Sequence, residues 1–285
     1  MSTPGTQRLP LWRRILTMTL LMLGALVFLF PFYYMVVCAL QARRNPSLSG
    51  AIPWPSNLTL SNFTQINSAI NLGQSLLNSA IFTGAVVLCT IFFGVLAGYA
   101  LATLHFRGRG VLFAVVLLLQ AVPFQILMIP LYVMLVRNFG LGDTYEGMIL
   151  PFAINSVAVL IFRQFFLQVP REMFDAARID GAGEFRILRS IAVPLVRPAI
   201  LTAALVTFIG PWNEFLWPFL ITKKQSMEPL AVAVANFTQT GLAGHANPMG
   251  AILAGSVALA LPAVVLFVVF QRYFTQTHAS TGVKG

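Results

Sequence analysis

The run LLNSAIFTGAVVLCTIFFGVLAGYALATL, residues 76–104, carries no charged side chain from end to end. A helix crosses the hydrocarbon core of a bilayer with about 20 mostly apolar residues, and this run is longer than that. Its apolar residues do not alternate with polar ones, which excludes the short two-faced strands of a membrane β-barrel and leaves a helix. Outward from it, five further stretches have the same character: 15–40, 111–136, 145–167, 199–221 and 251–270. The sequence therefore predicts an all-α integral membrane protein with six transmembrane helices.

Composition agrees. Hydrophobic residues make up 58% of the 285-residue chain and charged ones 9%, against roughly 25% charged in a soluble domain. The net charge of +10 does not indicate nucleic-acid binding, because the arginines sit between long apolar runs and form no basic face. Cys38 and Cys89 both lie inside apolar runs and give neither a metal spacing nor a disulfide framework. His105, His245 and His278 are scattered, so no metal site is expected. No cluster of His, Asp or Ser suggests an enzyme.

The loops orient the chain. With the N-terminus in the cytoplasm, 13 of the 18 Lys and Arg residues fall on the inner side, Arg107, Arg109, Arg163, Arg171, Arg178, Arg186, Arg189 and Arg197 among them. The other five (Arg43, Arg44, Arg137, Lys223 and Lys224) fall outside. The positive-inside rule then places both termini in the cytoplasm. The first run follows Arg8, Arg13 and Arg14 and is too long for the core of a signal peptide, so it reads as an uncleaved signal anchor. The organisation expected is a cytoplasmic N-terminus (1–14), a first span (15–40), an extracytoplasmic loop (41–75), a five-helix core (76–275) and a cytoplasmic tail (276–285). Pro46, Gly50, Pro53 and Pro55 make the first half of the outer loop extended, and a short interfacial helix is expected from Leu60.

The longest charged stretch, 169–195, lies between the fourth and fifth spans. Pro170 suits the first position of a helix, and Glu172 and Asp175 follow where acids complement the helix dipole. Arg171 with Asp175, and Asp175 with Arg178, have spacings that allow pairing on one face. Gly181 can take the left-handed conformation that stops a helix. A second helix is expected to carry Phe185, Leu188 and Ile191 on one stripe, and Pro194 and Pro198 mark the return to the membrane. The outcome is a two-helix cytoplasmic element in which small residues (Ala176, Ala177, Ala182 and Gly183) permit close approach by a partner. An ordinary amphipathic loop on lipid headgroups fits the local physics equally well.

The same stretch resembles the EAA loop of ABC-importer permeases, whose pattern is Glu-Ala-Ala, three residues, Gly, nine residues, then Ile-x-Leu-Pro. Asp175-Ala176-Ala177 matches with Asp for Glu. Gly181 follows after three residues and Ile191 after nine more, and Ala192-Val193-Pro194 completes the pattern with Val for Leu. Further segments look like the maltose-type carbohydrate subfamily: Arg178-Ile179-Asp180-Gly181-Ala182, Ile129-Pro130-Leu131-Tyr132, Phe139-Gly140-Leu141-Gly142-Asp143-Thr144, Trp212-Asn213-Glu214-Phe215-Leu216-Trp217-Pro218 and the tail Gly282-Val283-Lys284-Gly285. The resemblance covers most of the chain after about Ser75. It implies a cytoplasmic coupling loop (170–195) in which Glu172, Asp175, Ala176, Ala177, Asp180, Gly181, Ile191 and Pro194 engage an ATPase. It also implies two ATPase subunits that bind ATP and Mg, a second homologous permease completing a heterodimer, an extracytoplasmic sugar-binding protein, and residence among the lipids of a bacterial or archaeal cytoplasmic membrane. No GxxxxGK[ST] phosphate loop occurs in the sequence, so no cofactor is expected in this chain itself.

Polar groups inside spans are costly and are candidates for the substrate pathway. Gln120, Gln125, Asn155, Asn213 and Glu214 qualify, and Trp212 is a candidate of another kind, able to stack on a sugar face or to sit as an interfacial tryptophan. Two readings stand for them: contact with the transported solute, or hydrogen bonds between helices. A sugar is the expected cargo, with glycerol phosphate, a polyol or another small solute as the alternative. A self-contained secondary transporter fits least, since it would usually show internal repeats and a charged coupling site.

Overall fold

The computed structural model describes residues 10–43, 52–240 and 247–279, without the side chains of 240 and 272–279. Expectations resting on Arg8, Arg44, Pro46, Gly50, His245, Lys284 and the tail 282–285 lie outside the described residues. Within them the chain is helical, and the single β contact is an isolated bridge between Gln41 and Leu58.

Three unbroken helices are long and apolar enough to cross a membrane. Helix α1 spans Leu11–Leu40. A short helix, α2, follows at Ser61–Ile70, where the interfacial helix was expected. Helix α3 spans Leu72–Thr103. It starts four residues before the sequence boundary because Asn71, at φ 50°, turns the chain and its side chain accepts from the Gln74 N–H. The last long helix, α14, spans Pro248–Ala279.

The stretches expected as continuous third and fourth spans are instead bent pairs, and the fifth is interrupted between α11 and α12. Helix α4 (Arg109–Leu119) and helix α5 (Phe124–Tyr132), which runs on as a π-helical segment to Asn138, meet at 93°. Pro123 explains the break: it lacks an N–H and pushes the preceding residue out of the helical region. Helix α6 (Tyr145–Ile149) tightens into a 3-10 turn through Pro151, and helix α7 (Ser156–Leu167) leaves it at 50°. The charged stretch forms helices α8 (Arg171–Ile179) and α9 (Glu184–Ile187). It continues through a π-helical segment, Leu188–Ala192, into α10 (Val193–Leu195). Helix α11 (Arg197–Asn213) departs at 76° from this approach. It also ends inside the expected fifth span. Pro211 weakens its last turn, Glu214 is extended at ψ 124°, and α12 (Leu216–Ile221) restarts. Helix α13 (Leu230–Thr240) completes the set.

The chain divides into two compact units, 1–69 with 237–285 and 70–236. In the first, α1 packs along α14. Asn62 is buried and donates to the carbonyls of Ala39 and Gln41, both at 2.8 Å, and Asn247 donates to Gln41 at 3.0 Å. In the second, α3 is the central post, packed on α7 and α11. One core cluster there runs without interruption from α3 (Val95, Tyr99) through α7 (Phe162, Phe166) to the charged stretch (Phe174, Ala177, Ile187) and on into α11 (Ala199, Ala203). Arg163, counted above among the loop cations, lies inside α7, and its guanidinium sits 4.0 Å from the centre of the Phe113 ring.

Candidate functional site

The hairpin formed by α8 and α9 is built by a small set of local rules. Pro170 is the residue before α8 rather than its first residue. At the other end of the helix the Ala182 N–H donates to the Ala177 carbonyl at 2.9 Å, and the Gly181 N–H to the Arg178 carbonyl at 3.0 Å. This pair of bonds is the Schellman stop, and it needs a left-handed residue where Gly181 sits at φ +79°. Nothing lies within 4 Å of a Cβ built on Gly181, so its restraint within this chain is conformational rather than steric.

Arg178 rather than Arg171 organises the charges. It bonds Asp175 at 2.8 Å and Glu184 at 2.8 Å, and the expected Arg171–Asp175 pair is not formed. The Arg178 guanidinium holds the Glu184 carboxyl below the usual carboxylate range. Partial desolvation opposes this and a hydrogen bond from Tyr99 reinforces it. The Tyr99 hydroxyl donates to Glu184 Oε2 at 2.6 Å, which ties α3 to the hairpin.

The faces of the hairpin are clearly divided. Phe174 and Ala177 point into the core, while Glu172, Asp175, Ala176, Asp180 and Gly181 face outward. Ile179 is 86% exposed and Phe185 73%. Phe185 therefore does not share the buried stripe expected for the second helix. The buried positions are Ile187, Leu188, Ala192 and Val196, because the π-helical widening at 188–192 rotates the face away from a regular helical spacing. Ile191 is half-buried and Pro194 exposed.

The six polar and aromatic candidates gather at backbone breaks. Gln120 and Gln125 flank the 93° bend, both exposed. Asn155 lies at the 50° bend, where its Oδ1 accepts from the N–H groups of Val157 and Ala158 and caps α7. Asn213 ends α11 and Glu214 opens the gap before α12. Asn213 donates back to the Ile209 carbonyl at 2.9 Å, and Glu214 accepts from the Trp217 N–H at 3.3 Å. Trp212 is buried and stacked on Phe208 at 5.4 Å. Broken helices are tolerated at membrane depth where other groups satisfy the freed backbone or where they line a cavity.

Several organising residues escaped the sequence reading. Asn78 is fully buried on α3. It donates to the carbonyls of Ser226 (2.9 Å) and Glu228 (3.0 Å), and its Oδ1 accepts from Tyr145 (2.7 Å) and Gln74 (2.9 Å). Ser79 beside it accepts from the Leu230 N–H. Asp143, at φ 54°, accepts from the N–H groups of Lys223 and Lys224 and joins the α5–α6 loop to the end of α12. Gly94 and Gly98 allow α3 to approach α7. The Gly-x-x-x-Gly spacing was a visible signal for the last pair. Asn78, a polar residue within the run 76–104, was a signal of the kind used above, but its partners, like those of Asp143, are distant in sequence. Among the described residues no three His, Cys, Asp or Glu side chains come together as a metal site would require.

Residues 90–277 match the family described as binding-protein-dependent transport system inner membrane component, and the chain belongs to that family. It is 35% identical to the arabinooligosaccharides transport system permease protein AraQ of Halalkalibacterium halodurans, over 92% of this chain and 93% of that one. It is 33% identical to the trehalose transport system permease protein SugB of Mycobacterium tuberculosis, over 81% and 84%. The sn-glycerol-3-phosphate transport system permease protein UgpE of Yersinia pestis is 30% identical over 90% and 92%. In fold the chain is similar to a bacterial ABC transporter involved in the import of the acidic polysaccharide alginate, with a TM-score of 0.81 and 24% identity over 95% of this chain and all of that one.

Proposed function

We propose that this chain is one of two permease halves of an ATP-driven importer for a sugar, with six spans, both termini cytoplasmic and the α8–α9 hairpin seated in a cleft of an ATPase partner. Three unbroken long helices, the two bent pairs α4–α5 and α6–α7, and α11 following the hairpin support the count of six. The observation that carries the docking role is the division of the hairpin. Its inner face is fixed in the core of the second unit, while Ala176, Ile179, Asp180 and Gly181 form an outer face of small, acidic and apolar residues that is exposed among the described residues, with Asp175 beside them paired to Arg178. ATP closes the ATPase pair, the hairpins follow, and the spans alternate between inward-open and outward-open states. Coupling requires that the two membrane states engage the ATPase pair with different free energies. An extracytoplasmic binding protein delivers the sugar, and ATP and Mg stay with the partners. Gln120, Gln125, Asn213 and Glu214 are the pathway residues of this reading, because they sit at breaks where irregular backbone can face water. Sugar is preferred as cargo because the arabinooligosaccharide and trehalose permeases stand among the relatives. The glycerol phosphate permeases among them keep a phosphorylated solute as the second reading.

The test is purification of the tagged chain in mild detergent from its own membranes, beside Gly181→Asp. An Asp tolerates the left-handed conformation better than most residues, and nothing lies near the new side chain, so the hairpin should keep its shape while its docking face gains a charge. Co-purification of an ATPase and a second permease with the native chain, and loss of the ATPase from the variant, is the expected result. A native chain that purifies alone would end the importer reading.

A further inference from the structure

The hairpin is held to the second unit by more than apolar packing. The Tyr99 ring is buried on α3 and makes edge contacts with Phe166 at 5.5 Å and Phe174 at 6.1 Å. Its hydroxyl is not needed for that packing, yet it reaches Glu184 Oε2 at 2.6 Å. Glu184 is the first residue of α9, and its carboxylate is a junction: Oε1 takes the Arg178 Nε–H at 2.8 Å. Arg178 lies in the last turn of α8 and continues to Asp175 Oδ1 at 2.8 Å. A single polar chain therefore links the end of a span to the start of one hairpin helix, the end of the other, and an exposed carboxylate on the outward face. Hydrogen bonds to charged groups are stronger and more directional than apolar contact. Apolar contacts can slide, whereas this chain fixes where the hairpin sits along α3.

We propose that Tyr99, Glu184 and Arg178 form a positioning tether that converts displacement of the hairpin into displacement of α3, so that cutting it leaves ATP hydrolysis running with little transport. The inference rests on the importer reading above and adds to it a specific load path. Tyr99 and Glu184 touch no solute in this scheme and act through the hairpin alone.

Tyr99→Phe keeps the ring in its aromatic surroundings and removes only the hydroxyl. Thr103→Val is the control: it deletes a neighbouring hydroxyl one turn further along α3, which donates to the Tyr99 carbonyl at 2.8 Å, and leaves the bond between Tyr99 and Glu184 in place. Two measurements are made. On the purified chain in lipid nanodiscs, amide hydrogen exchange should accelerate about tenfold at 180–182 in Tyr99→Phe. It should stay as in the native chain in Thr103→Val and, for both variants, across α7. On the full complex in proteoliposomes, the amount of labelled arabinooligosaccharide moved per ATP hydrolysed should fall at least about threefold in Tyr99→Phe, with ATPase activity retained. Unchanged exchange at 180–182 overturns the tether, whatever the cargo proves to be. A native coupling ratio in Tyr99→Phe, or an equal fall in Thr103→Val, overturns its role in transport. A native complex that moves no solute with ATP defeats the importer reading instead, and the exchange result then still decides whether the tether exists.

Discussion

Replacing Gly98 by Ala should weaken the second unit, although alanine is the better helix former. A Cβ at Gly98 would stand 2.6 Å from Phe162 Cβ and 2.9 Å from the Arg163 backbone nitrogen. Neither atom is the free end of a side chain, so a rotamer change cannot relieve the contact. Ordinary contact begins at 3.4 Å, so α7 would have to withdraw by about 0.8 Å. A gap of that size forfeits roughly a quarter to a half of the dispersion energy of the contacts it opens. Those contacts include Val95 and Tyr99 against Ala158, Phe162 and Phe166. Overpacking of this kind costs about 1–3 kcal/mol. Gly84→Ala is the matched comparison, because it lies on the same helix with nothing within 4 Å of its Cβ. It should be neutral, or more stable by up to about 1 kcal/mol from the lower entropy of the unfolded chain. Thermal unfolding of both variants in the same detergent, followed by loss of helical circular dichroism, reads the difference. A Gly98→Ala midpoint equal to or above that of Gly84→Ala would refute the close approach of α3 and α7.

Asn78→Ala strands the Ser226 and Glu228 carbonyls and the Tyr145 hydroxyl, and should loosen the 222–230 segment by about 3 kcal/mol; faster tryptic cleavage at Lys223 and Lys224 in sealed, outward-facing vesicles is the readout, and an unchanged rate would count against the hub. Burial raises the Glu228 carboxyl above its ordinary value of 4.5, against the opposing hydrogen bond from Asn236. Its folded pKa exceeds its unfolded one, so the native state binds more protons and native stability falls as pH rises through the folded pKa. Glu228→Gln keeps the acceptor for Asn236 and removes the charge, so it should be more stable than the native chain at pH 7 and should lose that advantage toward pH 4.5; parallel pH curves for the two would refute this.

The long helices were legible because a run without charges states its own length and needs no partner to be recognised. The bends were half-legible. Pro123, Pro151 and Pro211 stand in the sequence where helices break or weaken, yet proline inside a span does not announce an angle, since neighbouring helices decide how the freed backbone is satisfied. The hairpin was legible in its stop at Gly181 and in its Asp175–Arg178 pair, both local. Its inner face was not, because the π-helical segment at Leu188–Ala192 shifts the spacing that a regular helix would have. The roles of Tyr99, Asn78 and Asp143 were invisible for a common reason: their partners lie 85, 67 and 80 residues away along the chain, and single-sequence patterns report neighbours only.

Taken together, these contacts bear on how a push at the hairpin could reach the rest of its unit. Close-packed interiors transmit strain instead of absorbing it, and a single cluster joins Phe174 and Ile187 of the hairpin to Phe162 on α7, Val95 on α3 and Ala203 on α11. At the other end of α3 the Asn78 carboxamide fixes the 222–230 segment, and Asp143 fixes the end of α12 to the loop before α6. A second cluster, with Phe82, Met148 and Trp217 at its centre, fills the space between, and the Trp217 indole donates to the Gly147 carbonyl at 3.1 Å. Motion within this unit is then cheapest at the breaks between helices, where helical hydrogen bonding is already interrupted, and most costly along α3. The proposed pathway residues Gln120, Gln125, Asn213 and Glu214 sit at two of those breaks, so the places able to change shape are also the places that carry polar side chains able to exchange one partner for another.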